Sequence, residues 1–235
     1  MIRFQNVSFS YEKGEPVLKR INLEFHPGLT LLLGLNGCGK SSLLKLASGV
    51  EKPDTGSITI DGYDLWGDEV RARKSLSYLP EQPDLTPYAT VGEILNLICR
   101  LREEPPEKGW EALRFFGLDK MAHYTVRELS LGERRRAVFA AALVGTPHHL
   151  LLDEPLEGMD RKIQKEILDW IYRRIKAGAV VVLVSHFLEP FVDSVSETVT
   201  IKNGQAVHFK KIPENLEERF ALLEDLATGK NPLKE

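Results

Sequence analysis

The chain has 235 residues, 43% of them hydrophobic and 28% charged, the balance of a soluble globular protein long enough to bury a real core. A net charge of −3 gives no basic field, so no nucleic-acid partner is expected, and two cysteines, Cys38 and Cys99, exclude a disulfide framework and point to a reducing cytoplasm. No apolar run approaches the eighteen or so residues of a membrane span, and "MIRFQNVSFSY" lacks a signal-peptide core, so any work at a membrane is expected through a partner.

In chain order, "IRFQNVSFSY" and "INLEF" alternate apolar and polar residues and predict antiparallel strands around "EKGEP". "LTLLLGL" is a continuous apolar run, as in a strand buried on both faces of a parallel sheet, and it leads through glycines into a helix at "KSSLLKLASGV". "GSITIDGYDL" reads as a strand and turn. From about residue 84 the texture becomes helical: "VGEILNLICRLR" and "KGWEALRFFGL" are separated by the breaker "EEPPEKG". "RRRAVFAAALVG" predicts a further helix, then come the strand "LLLDEP", a long amphipathic helix ending at Gly178 and the strand "AVVVLVSH". In "ENLEERFALLEDLA", Leu216, Phe220 and Leu223 share one face of a helix that packs on the domain. Strands alternating with helices predict an α/β fold with a mainly parallel sheet.

"GLNGCGKS" fits G-x-x-x-x-G-K-[ST] from Gly34 to Ser41, between a strand pattern and a helix pattern. Glycines let the backbone curl so that its N–H groups converge on phosphate oxygens, and the helix N-terminus adds a dipole of the right sign. The nucleotide-binding candidates are Gly34, Asn36, Gly37, Cys38, Gly39, Lys40, Ser41 and Ser42. Lys40 is expected on the β- and γ-phosphates and the Ser41 hydroxyl on Mg²⁺. "LLLDEP" carries Asp153 and Glu154 to a strand end, where ligands collect in open α/β sheets. Asp153 suits a Mg²⁺ contact, and Glu154 suits polarising a water. His186, closing "VVVLVSH", reaches the same edge if the strands are parallel, where it suits a γ-phosphate contact, and is the second catalytic candidate.

A phosphate loop, the LSxG element at 129–132, an acid pair and a strand-end histidine, in that order, resemble the ATP-binding cassette (ABC) family over residues 2 to 209. The resemblance implies a single P-loop ATPase domain over 1–235, with an N-terminal antiparallel β subdomain. A helical subdomain over 84–135 and a C-terminal helix and tail over 213–235 complete it. ATP and Mg²⁺ are the implied cofactors. Tyr11 matches the aromatic that stacks on adenine, and Asp160 in "EPLEGMD" matches the aspartate at the dimer contact. Two cassettes, as a homodimer or heterodimer, would pair head to tail, with Ser130 and Gly132 of one capping the γ-phosphate of the other. Aligning "YLPEQPDL" through Pro83 puts Glu81 where the family carries a metal-linked glutamine, with Gln82 one residue later. Leu131, Glu133 and Glu157 also depart from the usual residues; a left-handed Leu131 would be strained, and Arg134, Arg135 and Arg136 are placed to offset the Glu133 charge.

The function so implied is the Mg²⁺-dependent ATPase subunit of an ABC transporter, cytoplasmic and attached to the inner face of the cell membrane through a separate integral membrane permease. The compact helical segment, "YLPE" and "LSLGERRR" look most like the ABC-2 or multidrug-export class. Importer cassettes for metals and vitamins, a cluster-assembly ATPase and a nucleotide sensor that barely hydrolyses ATP are the alternatives.

Overall fold

The computed structural model describes residues 1–12, 14–82 and 85–230. Pro83, the expected start of the helical segment at residue 84, and tail residues 231–235 lie outside them. The N-terminal strands β1 (Ile2–Phe9) and β2 (Leu18–Phe25) pair antiparallel, with Phe4 opposite Leu23 and Ile2 opposite Phe25. Their alternation works as read: Ile2, Phe4, Val7 and Phe9 all point inward. Strand β3 (Gly28–Leu33) leads through the glycine loop into α1 (Lys40–Ser48). The chain then returns through β4 (Thr55–Ile60), β5 (Tyr63–Asp64), α2 (Glu69–Arg73) and β6 (Leu76–Leu79). Three helices follow, α3 (Val91–Leu101), α4 (Pro106–Phe115) and α5 (Leu131–Leu143). The last part of the chain runs through β7 (His149–Asp153), α6 (Arg161–Lys176), β8 (Val180–Val184), β9 (Val195–Lys202), β10 (Gln205–Phe209) and α7 (Leu216–Ala227).

Two sheets result. A four-stranded antiparallel sheet has the order β2-β1-β4-β5, and a six-stranded sheet has the order β10-β9-β3-β8-β7-β6. In the second, only the edge strand β10 runs antiparallel; the other pairings are parallel. The central strands are apolar throughout because both faces are covered. Their pleat sorts residues between two cores: Leu29, Leu31, Leu33, Leu150, Leu152, Val181 and Leu183 face a core shared with α3, α4, α5, α6 and α7. Leu32, Leu151, Val180, Val182 and Val184 face the other, shared with α1 and the four-stranded sheet. Helix α1 is thus held between the two sheets, which fixes the glycine loop at its N-terminus.

Three expectations change. The helix read from "RRRAVFAAALVG" begins earlier, at Leu131, because Ser130 caps it. Helix α6 ends at Lys176, before Gly178. Helix α7 does pack on the domain, but through Leu223 and Leu226, with Phe220 half-buried and Leu216 exposed at 52%. The stripe therefore starts one turn later than read.

Candidate functional site

Because β3, β6, β7 and β8 run parallel and in register, with Leu79 opposite Leu152 and Asp153 opposite Val184, their C-terminal ends share one edge. The loop after β3 turns there through Gly34 (φ 130°), Gly37 (φ 76°) and Gly39 (φ 112°). At Gly39 an added Cβ would sit 3.1 Å from Leu18 and 3.3 Å from Val17, so both space and backbone angle require glycine. Lys40 is buried, and its ammonium donates to the carbonyls of Gly34 (2.8 Å) and Leu35 (3.0 Å), folded over its own loop.

An open groove of about 460 Å³ at this edge is lined by Tyr11, Val17, Asn36, Gly37, Gly39, Lys40, Ser41, Ser42, Glu81, Asp153, Glu154, Val184 and His186. Tyr11 lies beyond the end of β1; its hydroxyl is 3.1 Å from the Ser42 hydroxyl, its ring meets Phe9 edge-on, and Lys45 Nζ lies 5.5 Å from the ring centre. Half of the Tyr11 surface remains exposed, leaving room for a planar partner. Val17, which motif reading passed over, adds an apolar flank; its position just before β2 was the only signal.

The acid pair is buried, Asp153 at 2% and Glu154 at 5% exposure. Burial pushes the Asp153 carboxyl above its usual range, opposed by a hydrogen bond from Ser41 and reinforced by the charge of Glu81. Burial also raises Glu154, opposed by the backbone N–H and the charge of His186. That N–H donates to Glu154 Oε2 at 3.2 Å, and the exposed imidazole lies 3.5 Å from Oε1, which has no hydrogen-bond partner. Glu154 also takes a left-handed backbone (φ 48°), unusual for a residue with a side chain. The set suits Mg²⁺ completed by phosphate and water: a hydroxyl at Ser41, a carboxylate at Asp153 and a second at Glu81. Among the described residues, no cluster of three or more His, Cys, Asp or Glu is placed to hold a metal alone.

The remaining predicted residues lie elsewhere. Gly34 and Cys38 line a cavity behind the loop with Ile201, Phe209 and Leu226. Gln82 is absent from the groove lining and instead lines a cavity of about 380 Å³ with Glu81, Leu131, Arg134, Arg135, Glu157 and Gly158, so of the two loop residues Glu81 is the one at the groove. Asp160 caps α6, accepting from the Ile163 N–H at 3.0 Å. Ser130 and Gly132 form the first turn of α5 and are not among the groove residues either. Leu131 is helical, without positive φ, and 78% exposed, so it carries no backbone strain. The Ser130 hydroxyl donates to Glu133 Oε2 (2.7 Å) and accepts from the Glu133 N–H (3.3 Å), while the Ser130 N–H donates back to that carboxylate (2.8 Å). These bonds hold the Glu133 carboxyl below its usual range, with a smaller contribution from Arg136. Arg136 donates to the Phe116 carbonyl at 3.1 Å, while Arg135 reaches back toward Glu81, Glu154 and Glu157.

A family model described as ABC transporter matches residues 18–157. A putative ABC transporter ATP-binding protein of Clostridium perfringens is 29% identical over 88% of this chain, which spans only 38% of that relative's length. The sulfate/thiosulfate import ATP-binding protein CysA of a Synechocystis species is 34% identical over 80% of the chain and 54% of its own length. The SkfA peptide export ATP-binding protein SkfE of Bacillus subtilis is 27% identical over 91% of the chain and 90% of its own. Among solved structures, the dimeric structure of a bacterial ABC transporter cassette superposes with a TM-score of 0.79 at 25% identity, covering 89% of this chain and 98% of that one.

Proposed function

The chain belongs to the ABC transporter family, and on that premise we propose that it is a Mg²⁺-dependent ATPase subunit that pairs with a second cassette and drives a separate membrane permease. The observation that carries this reading is the convergence of the glycine loop, Lys40, Ser41, Asp153, Glu154 and His186 on one groove. Tyr11 and Val17 would flank the adenine end, the loop amides and Lys40 would take the phosphates, and Ser41, Asp153 and Glu81 would hold Mg²⁺. The bound ion supplies positive charge against the phosphate oxygens. Glu154 serves as the base for the attacking water, its carboxylate held by the His186 N–H on Oε2.

Ser130 and Gly132 serve the γ-phosphate held by a second chain, with Asp160 at the contact between the two. The permease holds the subunit at the inner face of the membrane; no helix among the described residues is long and apolar enough to cross one. The form of "LSLGERRR" and the compact helical segment favour an export partner. The test is ATP turnover with and without Mg²⁺, by the purified chain and by the chain co-purified with its membrane partner. Hydrolysis that requires Mg²⁺ supports the reading. Tight ATP binding without turnover, partner present, replaces it with a nucleotide sensor.

A further inference from the structure

The three arginines after the LSxG turn do different work, and the middle one reaches the hydrolytic centre of its own chain. Arg135 projects from the second turn of α5 with only 12% of its side chain exposed. One guanidinium nitrogen donates to the Glu81 carbonyl at 3.3 Å and lies 3.5 Å from a Glu157 carboxylate oxygen. The other donates to the Glu154 carbonyl. That carbonyl also accepts from the Glu157 N–H at 3.3 Å, so the left-handed turn at Glu154 is held from two directions. A planar fork with fixed donors suits this task, since it ties three backbone segments together in one geometry.

We propose that Arg135 is a positioning residue for hydrolysis. It locks the Glu154 turn and the Glu81 loop to α5, so that the carboxylate stands where the attacking water must be met. This rests on the ATPase reading above. It also gives α5 a second duty: the helix whose first turn serves the partner's nucleotide carries the side chain that sets its own chain's base. Arg135 does not line the nucleotide groove, so its loss leaves the binding contacts of Tyr11, Lys40 and Ser41 in place.

The test compares Arg135→Gln and Arg135→Lys with the unmodified protein in steady-state ATP hydrolysis, with Glu154→Gln as a control and thermal unfolding measured throughout. A displaced base costs roughly 10- to 100-fold in turnover, so Arg135→Gln should lose that much kcat with KM for ATP within about twofold. Arg135→Lys, which keeps one charged donor for the Glu154 carbonyl, should recover part of the loss. Unchanged kcat in Arg135→Gln, or a loss matched by the loss of folded protein, overturns the proposal. So does a lysine variant no better than the glutamine one. Failure of the ATPase reading looks different: the unmodified protein and Glu154→Gln would then show the same absence of turnover.

Discussion

Glu154, the proposed base, sits in a structurally costly place. Its backbone is left-handed, its carboxylate is buried beside Asp153, and one oxygen has no partner. A raised carboxyl pKa means that the folded chain holds the proton more tightly than the unfolded one. Stability therefore falls as pH rises from the unfolded pKa through the folded one, and the whole penalty is present above it. Glu154→Gln removes that penalty while keeping the shape. The nucleotide-free variant should melt higher at neutral pH, read as a raised Tm in thermal unfolding. The gap should close as acid protonates the native glutamate, and an unaltered Tm at neutral pH would count against a buried, ionised Glu154. The same shift sets the pH profile of turnover. A base must be ionised, so the acid limb of kcat/KM, which reports the nucleotide-free chain, should sit above the ordinary glutamate range, and a limb at the usual value would mean that another group accepts the proton.

At the scale of elements, the N-terminus of α5 holds a negative group of its own. Glu133 receives both the hydroxyl and the N–H of Ser130, so a carboxylate already stands where the helix dipole favours an anion. Glu133→Gln keeps a capping side chain and removes the charge. In the dimer reading, the variant should associate more tightly in ATP with little change in Tm, as read by sedimentation at several protein concentrations. Ser130→Ala, by contrast, should cost about 1 kcal/mol of stability as a lost cap. Equal ATP-dependent association in Glu133→Gln and the unmodified chain would show that the carboxylate does not oppose the phosphate. This capping box is legible, since Ser130 and Glu133 have the S-x-x-E spacing, although the charge of Glu133 beside three arginines reads equally as an electrostatic feature. The strands flanking the phosphate loop were legible for a stronger reason: "LTLLL" and "VVVLV" are apolar throughout, and only a doubly covered sheet takes such runs. Strand β6 has only four residues, too few to show a period in the sequence. Strands β9 and β10 do alternate, but their polar faces give them the texture of a surface loop.

At the scale of the molecule, the two sheets and α1 assemble the groove, and the first turn of α5 lies outside it. Motif order singles out these residues as candidates, whereas their division between a groove and a separate helix end needed the sheet topology. The groove contains Lys40, Ser41, Asp153, Glu154 and His186 but neither Ser130 nor Gly132, so in the proposed mechanism a second chain completes it. Gly132 permits a test of that division without disturbing the fold. It has helical backbone in the first turn of α5, and an added Cβ would meet only the Gly158 carbonyl, at 3.9 Å. Aspartate there is sterically free, and its charge near a helix N-terminus is favourable by roughly 0.3–1 kcal/mol. Gly132→Asp should therefore fold and melt no lower than the unmodified chain, and bind ATP in its own groove with unchanged affinity. Placed against a partner's γ-phosphate, the same charge is repulsive. In the Glu154→Gln background, where arrested hydrolysis keeps ATP in place, the chain should elute as a dimer in size-exclusion chromatography with ATP and Mg²⁺. Adding Gly132→Asp should return it to a monomer. A dimer that survives this change would place the α5 turn outside the shared site.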